Sequence, residues 1–153
     1  MGFDGITEAD LAYTAGIVDG EGNIGIYANR VLKTGRKLYR MRVRVSNTNE
    51  WLIFWLKSNF AGTAGLNAVE PGHNWKPAWY WTISDRPALE FLEAILPYLH
   101  MKKTHAELAI KFQKARPGRT GRRPTEEQNA IEGAQSILMK SWNVRGLSQS
   151  KKE

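Results

Sequence analysis

The chain has 153 residues, 42% of them hydrophobic, which is the size and apolar content of one domain with its own buried core. It has no cysteine, which excludes disulfide scaffolds, thiolate metal sites and cysteine nucleophiles, so any metal must be held by oxygen or imidazole. Lys and Arg number 22 against 15 Asp and Glu, and the formal charge of +7 favours a polyanionic partner without choosing among DNA, RNA and anionic lipid.

Thr7 is placed to cap a first helix over residues 8–18, with Asp10 completing a variant capping box. GNIGIYAN then alternates Ile24 and Ile26 against Asn23 and Tyr27, which is strand behaviour, and residues 30–37 read as a connecting loop. KLYRMRVRVSN, residues 37–47, is a second strand, and residues 49–59 form a short amphipathic helix. The apolar run WLIFWL inside it is far too short to span a bilayer. Two weaker strands follow at 66–70 and 75–83, parted by the Pro71-Gly72 turn signal. Ser84 or Asp85 can cap a helix over 87–96, Pro97 opens a turn, and a further helix covers 103–114. RPGRTGRRP, residues 116–124, reads as a basic linker. Thr125 with Gln128 caps a final helix over 125–140, and a disordered tail is expected after it. The expected organisation is an α+β core over residues 1–115, a linker over 116–124 and a C-terminal helix and tail over 125–153, with no internal repeat. The opening MGFDGITEAD is acidic and has no apolar signal core. No membrane partner is expected, and the expected location is intracellular, the cytoplasm of a prokaryote or an organelle matrix.

Charge position is more informative than charge total. Between Gly22 and Asn49 there is no acid, while Arg30, Lys33, Arg36, Lys37, Arg40, Arg42 and Arg44 are all basic. Alternation along the second strand puts Arg40, Arg42 and Arg44 on one face and Met41, Val43 and Val45 on the other, so one face is core and the other cationic. Three arginines in register repel one another unless an anion lies between them. A two-stranded ribbon fits a DNA major groove, and arginine can bond guanine O6 and N7 bidentately, so this face is suited to phosphate contact and base readout on double-stranded DNA. The same alternation assigns Asn23, Tyr27 and Asn29 of the first strand and Lys76, Tyr80 and Thr82 of the fourth to that side, and sends Trp79, Trp81 and Ile83 to the core.

A second signal lies where the first helix stops. Asp19 and Glu21 sit at its negative dipole end, where carboxylates are unfavourable, so something must compensate them. Ala12, Gly16 and Gly20 lie four apart and form a small-residue ridge against which another helix could pack closely. The literal G-x-G-x-x-G of Gly20, Gly22 and Gly25 is not a dinucleotide fingerprint, because a helix precedes it and a strand follows, the reverse of what that motif needs. His73, His100 and His105 have no HExxH spacing, and no zinc site is expected.

The nine residues TAGIVDGEG, Thr14 to Gly22, resemble the motif of the LAGLIDADG homing endonucleases, with Ala15, Gly16, Asp19 and Gly22 in place. The helix-first αββαββα order is also that family's order, and the resemblance extends from Leu11 to Phe112. It implies that Glu21, glutamate where the motif's name has aspartate, is the acid that binds an active-site metal together with a backbone carbonyl near Gly20. Asn47, in VSNTNEW, resembles the polar residue that orders active-site water, and Lys102, in LPYLHMKKTHAEL, the basic residue near the scissile phosphate. Asp19 would be mainly structural, bonding backbone near the helix end. With oxygen-only ligands the metal would be Mg²⁺, with Mn²⁺ able to substitute and Ca²⁺ supporting binding without cleavage. One motif and no repeat imply a homodimer on a roughly palindromic site, joined through Ala12, Gly16 and Gly20, cutting both strands across the minor groove to leave 3′ overhangs. The expected function is thus intron- or intein-type homing by metal-dependent phosphodiester hydrolysis.

Two non-catalytic readings compete: a DNA-binding regulator of the same fold, or an RNA-splicing maturase, the one case in which intron RNA would be a partner. Neither gains from a carboxylate aimed at phosphates, which costs affinity. A basic RNA-stacking sheet with Tyr27, Tyr39 and Tyr80 as platforms leaves the glycine-rich helix unexplained.

Overall fold

The computed structural model describes residues 3–68, 71–72, 74, 76–116 and 123–144. In chain order the elements are α1 (Glu8–Glu21), β1 (Gly22–Val31), β2 (Lys37–Asn47), α2 (Glu50–Phe60), β3 (Thr63–Leu66) and β4 (Trp79–Ser84). Then come α3 (Asp85–Ile95), a 3-10 turn (Leu96–Tyr98), α4 (Lys103–Lys114) and α5 (Glu126–Asn143). The strands form one antiparallel sheet in the order β1-β2-β4-β3, so the α+β fold and the αββαββα order are as expected. Among the described residues no helix is long and apolar enough to cross a membrane.

The Thr7 hydroxyl accepts from the Asp10 N–H at 3.1 Å and the Asp10 carboxylate accepts from the Thr7 N–H at 3.4 Å, which completes the capping box of α1. At its other end α1 runs three residues past Val18 and passes into β1 without a loop. Gly22 is both the cap of the helix, its N–H donating to the Val18 carbonyl, and the first residue of the strand, opposite Val45. A Cβ there would lie 2.8 Å from the Val18 backbone, so the junction requires glycine. The β1–β2 hairpin is longer than expected, because the tight turn closed by Gly35 (φ 86°) lets β1 continue to Val31 and places Arg30 on the strand. A bulge between Ala28 and Arg30 takes Asn29 out of register and sets Arg30 opposite Leu38.

The third and fourth strands are shorter than expected and shifted. Ala61 (φ 65°) and Gly62 (φ 87°) turn the chain directly out of α2, and a Cβ on Gly62 would meet the Thr82 carbonyl at 2.4 Å. β3 therefore occupies Thr63–Leu66 rather than 66–70, whose last two residues lie outside those described. β4 starts at Trp79 rather than 75, after Pro77, which has no N–H for a ladder. Lys76 thus precedes the strand.

The apolar face of the sheet (Ile24, Ile26, Met41, Val43, Val45, Trp81 and Ile83) packs under the helices, with Trp81 and Ile83 buried and Trp79 half-buried. Phe60, Trp81 and Phe91 meet edge-on or tilted at 5.0–6.5 Å between α2, β4 and α3, geometry that aromatic quadrupoles favour. β1 is an edge strand, and α5 closes it. Ser136 Oγ donates to the Ile26 carbonyl at 2.7 Å, Asn143 Nδ2 to the Ile24 carbonyl at 2.8 Å and Asn129 Nδ2 to the Lys37 carbonyl at 2.6 Å. Arg116, first residue of the expected linker, is part of this seam: it donates to the Tyr39 carbonyl, lies 3.7 Å from the buried Glu132 carboxylate and covers the Phe112 ring at 5.0 Å. Residues 117–122 of that linker and the tail beyond 144 lie outside the described residues.

Candidate functional site

The acids at the end of α1 are compensated from the start of α4. The Asp19 carboxylate accepts the backbone N–H groups of His100 at 2.8 Å, Met101 at 3.1 Å and Lys102 at 2.9 Å, the positive end of that helix. Burial alone would push the Asp19 carboxyl up; the three N–H bonds and the Lys102 charge outweigh it and hold the carboxyl below its ordinary value. Lys102 Nζ donates to the carbonyls of Val18 at 3.0 Å and Asp19 at 2.8 Å, so one residue caps the last turn of α1 twice. Asp19 is thus structural, as expected, through partners more than 80 residues away. Of the two adjacent lysines, Lys102 reaches the end of α1, whereas Lys103 is exposed as the first residue of α4.

Glu21 differs from Asp19 in being exposed. Its carboxylate accepts from Asn47 Nδ2, while Asn47 Oδ1 accepts the Asn49 N–H at 2.7 Å, so the amide orientation is fixed from behind. The fold therefore gathers Glu21, Asn47, Gly20 and Lys102 from three separate segments at the junction of α1 and β1. Among the described residues no three Asp, Glu or His side chains assemble into a metal cluster. One exposed carboxylate beside an amide and backbone carbonyls is a hard-oxygen donor set, and it fits a cation that fills its shell with water and substrate phosphate, as Mg²⁺ does.

The cationic face is arranged in a way the sequence did not indicate. Arg42 lies with its guanidinium 4.7 Å from the Tyr27 ring centroid, and Tyr27 donates to Asn23 Oδ1. Arg44 lies 4.4 Å from the Tyr80 ring centroid and donates to Asn67 Oδ1 at 2.5 Å, with Thr82 opposite it in the ladder. Both tyrosine rings are therefore covered by guanidiniums, and Tyr39 packs against the core, which removes the stacking platforms an RNA sheet would use. The expectation of a face without acids fails at Arg40, whose Nε is 2.9 Å from the Asp85 carboxylate. Asp85 adopts φ 59°, the left-handed region, at the start of α3. It spends its carboxylate on Arg40, and neither it nor Ser84 caps the helix. Arg36 also turns away from the open face, donating to the Pro124 carbonyl. Arg30 and Lys33 instead share a cavity of about 360 Å³ at the hairpin tip with Arg123, a residue the sequence had placed only in the linker. Asn29 and Lys76 are exposed, the first in the bulge and the second before β4.

Ala12, Gly16 and Gly20 all lie on the exposed side of α1, and a Cβ on either glycine would meet nothing within 4 Å. Beside them Tyr13, half exposed, packs edge-on against Trp55 at 5.4 Å.

The sequence matches no protein-family model and no curated protein. The structure, by contrast, is similar to solved ones. The archaeal intron-encoded homing endonuclease I-Vdi141I, complexed with DNA, superposes with a TM-score of 0.70 at 12% identity over 91% of this chain and 87% of that one. The homing endonuclease I-CvuI, in complex with the I-CreI target, gives 0.65 at 18% identity over 88% and 82%. The LAGLIDADG homing endonuclease I-GzeII, in complex with its DNA target, gives 0.61 at 16% over 84% and 43%. By this similarity the chain, a helix-first α+β domain with a four-stranded antiparallel sheet, has the LAGLIDADG homing endonuclease fold.

Proposed function

We propose that the protein is a site-specific endonuclease that hydrolyses double-stranded DNA with a divalent metal, acting as a homodimer at a long, roughly palindromic site. The observation that carries this is the exposed Glu21 carboxylate, held by Asn47 at the end of α1, where the neighbouring acid Asp19 is already compensated by three N–H donors. A binding protein gains nothing from a free negative charge set beside a cationic sheet, whereas a hydrolase needs one to hold a cation. Glu21 with a carbonyl near Gly20 would hold Mg²⁺, with Mn²⁺ able to substitute and Ca²⁺ supporting binding alone. When bound, the metal supplies charge stabilisation at the scissile phosphate and lowers the pKa of a coordinated water. Asn47 fixes the carboxylate and orders solvent beside it. Lys102, anchored on the α1 carbonyls, adds positive charge where the phosphate becomes more negative. The basic face supplies duplex affinity, and two copies joined through the α1 ridge supply one acid per strand. The DNA-bound state of the structural relatives supports the same reading.

Glu21→Gln tests it. The substitution is nearly isosteric, so specific binding in Ca²⁺ should be retained or strengthened while cutting in Mg²⁺ falls by several orders of magnitude. A variant that still cut at the wild-type rate would leave the carboxylate without a catalytic role.

A further inference from the structure

The two guanidinium–tyrosine contacts share a third layer. Gly25 lies beneath Tyr27, where an added Cβ would come within 2.2 Å of the ring, and Gly65 lies beneath Tyr80, where it would meet the ring and hydroxyl at 3.0–3.1 Å. Gly25 is the ladder partner of Arg42 and Gly65 the ladder partner of Tyr80. Each unit is therefore a stack of glycine backbone, tyrosine ring and guanidinium, and the absence of a Cβ lets the ring lie flat along the sheet. Lying on a bare backbone, each ring presents its open face to one arginine. The Tyr27–Asn23 and Arg44–Asn67 hydrogen bonds lie at the edges of the two stacks. Arg40 has no such support, and its Nε is engaged by Asp85.

We infer that Tyr27 and Tyr80 are positioning residues that set the direction of Arg42 and Arg44 toward guanine edges in the major groove, and that these two arginines, not Arg40, carry base discrimination. This rests on the duplex-binding reading. A free arginine loses side-chain entropy when it forms a bidentate contact, and a guanidinium already held on a ring loses less. Stacking occupies only the face of each guanidinium, so the Nη donors of Arg42, whose Nε is buried, and the Arg44 donors that Asn67 does not take stay in plane for guanine O6 and N7. Arg40 must first surrender its carboxylate partner, so its part is limited to phosphate attraction.

The test uses the full chain in two arms. In the first, without DNA, the side-chain NMR signals of Arg42 and Arg44 in the wild type should carry upfield ring-current shifts. Tyr27→Leu should abolish the shift at Arg42 alone and Tyr80→Leu the shift at Arg44 alone, with each Tyr→Phe variant keeping it. In the second, a randomised duplex pool is selected in Ca²⁺. Tyr27→Leu and Arg42→Ala should relax preference for guanine at the same position, each by about fivefold or more, while the salt dependence of Tyr27→Leu stays that of the wild type. Gly25→Ala should reproduce Tyr27→Leu, and adding it to Tyr27→Leu should change nothing further, because the ring it displaces is already gone. Tyr27→Phe should retain the preference, which separates the stack from a mere folding defect. A Tyr27→Leu protein with unaltered guanine preference, or an Arg40→Ala protein that loses guanine preference as strongly as Arg42→Ala, overturns the inference. A wild type that enriches no sequence overturns the duplex reading itself, and does so whatever the NMR arm gives.

Discussion

At the scale of single residues, Asp19 and Glu21 show how two acids two positions apart acquire opposite roles. Asp19 is enclosed by three N–H donors, and Glu21 is left open to solvent with one amide. The Asp19 carboxyl is held below its unfolded value of 3.8, so its stabilisation is complete above that value and disappears as pH falls through the lower, folded one. Asp19→Asn should cost about 2 kcal/mol near neutrality, the scale of hydrogen bonds to a charged group, and should flatten the acid limb of urea-unfolding stability below about pH 4. An acid limb as steep as that of the wild type would show that other carboxylates govern it. The candidate acid was legible in the sequence because it belongs to a nine-residue motif. The three donors around Asp19 were not, because nothing local in HMKK marks it as the partner of a residue some 80 positions earlier. Asp85 was read as a helix cap for the same reason: its left-handed backbone and its partner Arg40 are set by the sheet, not by its neighbours in sequence.

Among the elements, β2, α2 and α4 were legible because each combines a clear period with a cap or a charge pattern, and the start of α1 because Thr7 and Asp10 form a capping box. The boundaries of β3 and β4 were not, since they are decided by Ala61 and Gly62 turning under Thr82 and by the register opposite β2, both long-range facts. The place of α5 was likewise hidden, because its contacts with β1 run through Ser136 and Asn143, ordinary polar residues in any helix. Its seam with α4 contains a testable imbalance. Glu132 is 1% exposed, with Arg116 as its ion-pair partner at 3.7 Å, and one of its carboxylate oxygens has no hydrogen-bond partner. Arg116→Ala should therefore destabilise by roughly 3 kcal/mol by leaving a buried charge unpaired, and adding Glu132→Leu should recover much of that loss. Chemical denaturation of the two variants decides the matter; a double variant no more stable than the single one would mean that Arg116 acts through Tyr39 and Phe112 instead.

For the whole molecule, the proposed dimer rests on the contrast between a closed core and an open helix face. Gly16→Leu adds a side chain where nothing lies within 4 Å, so the monomer fold should be retained with an unchanged thermal midpoint, while sedimentation shifts from dimer to monomer. An unperturbed dimer would place the interface elsewhere. Affinity for duplex DNA should fall steeply with salt, by roughly 0.9 in log–log slope per phosphate contacted.

The bonds from Asp19 to residues 100–102 also have a consequence in time. They close a loop of more than 80 residues, and contacts of such separation form late in folding. The Thr7 cap lets the first turns of α1 form from local sequence alone. The last turn, carrying two acids against the helix dipole, stays unfavourable until the start of α4 arrives. During synthesis the chain should therefore have to extend past Lys102 before the last turn of α1, and with it the backbone that carries Glu21, is fixed. Pulsed hydrogen exchange during refolding should show amides near Leu11 protected well before those of Gly20 to Gly22, and simultaneous protection of both ends would mean that α1 forms as a single unit.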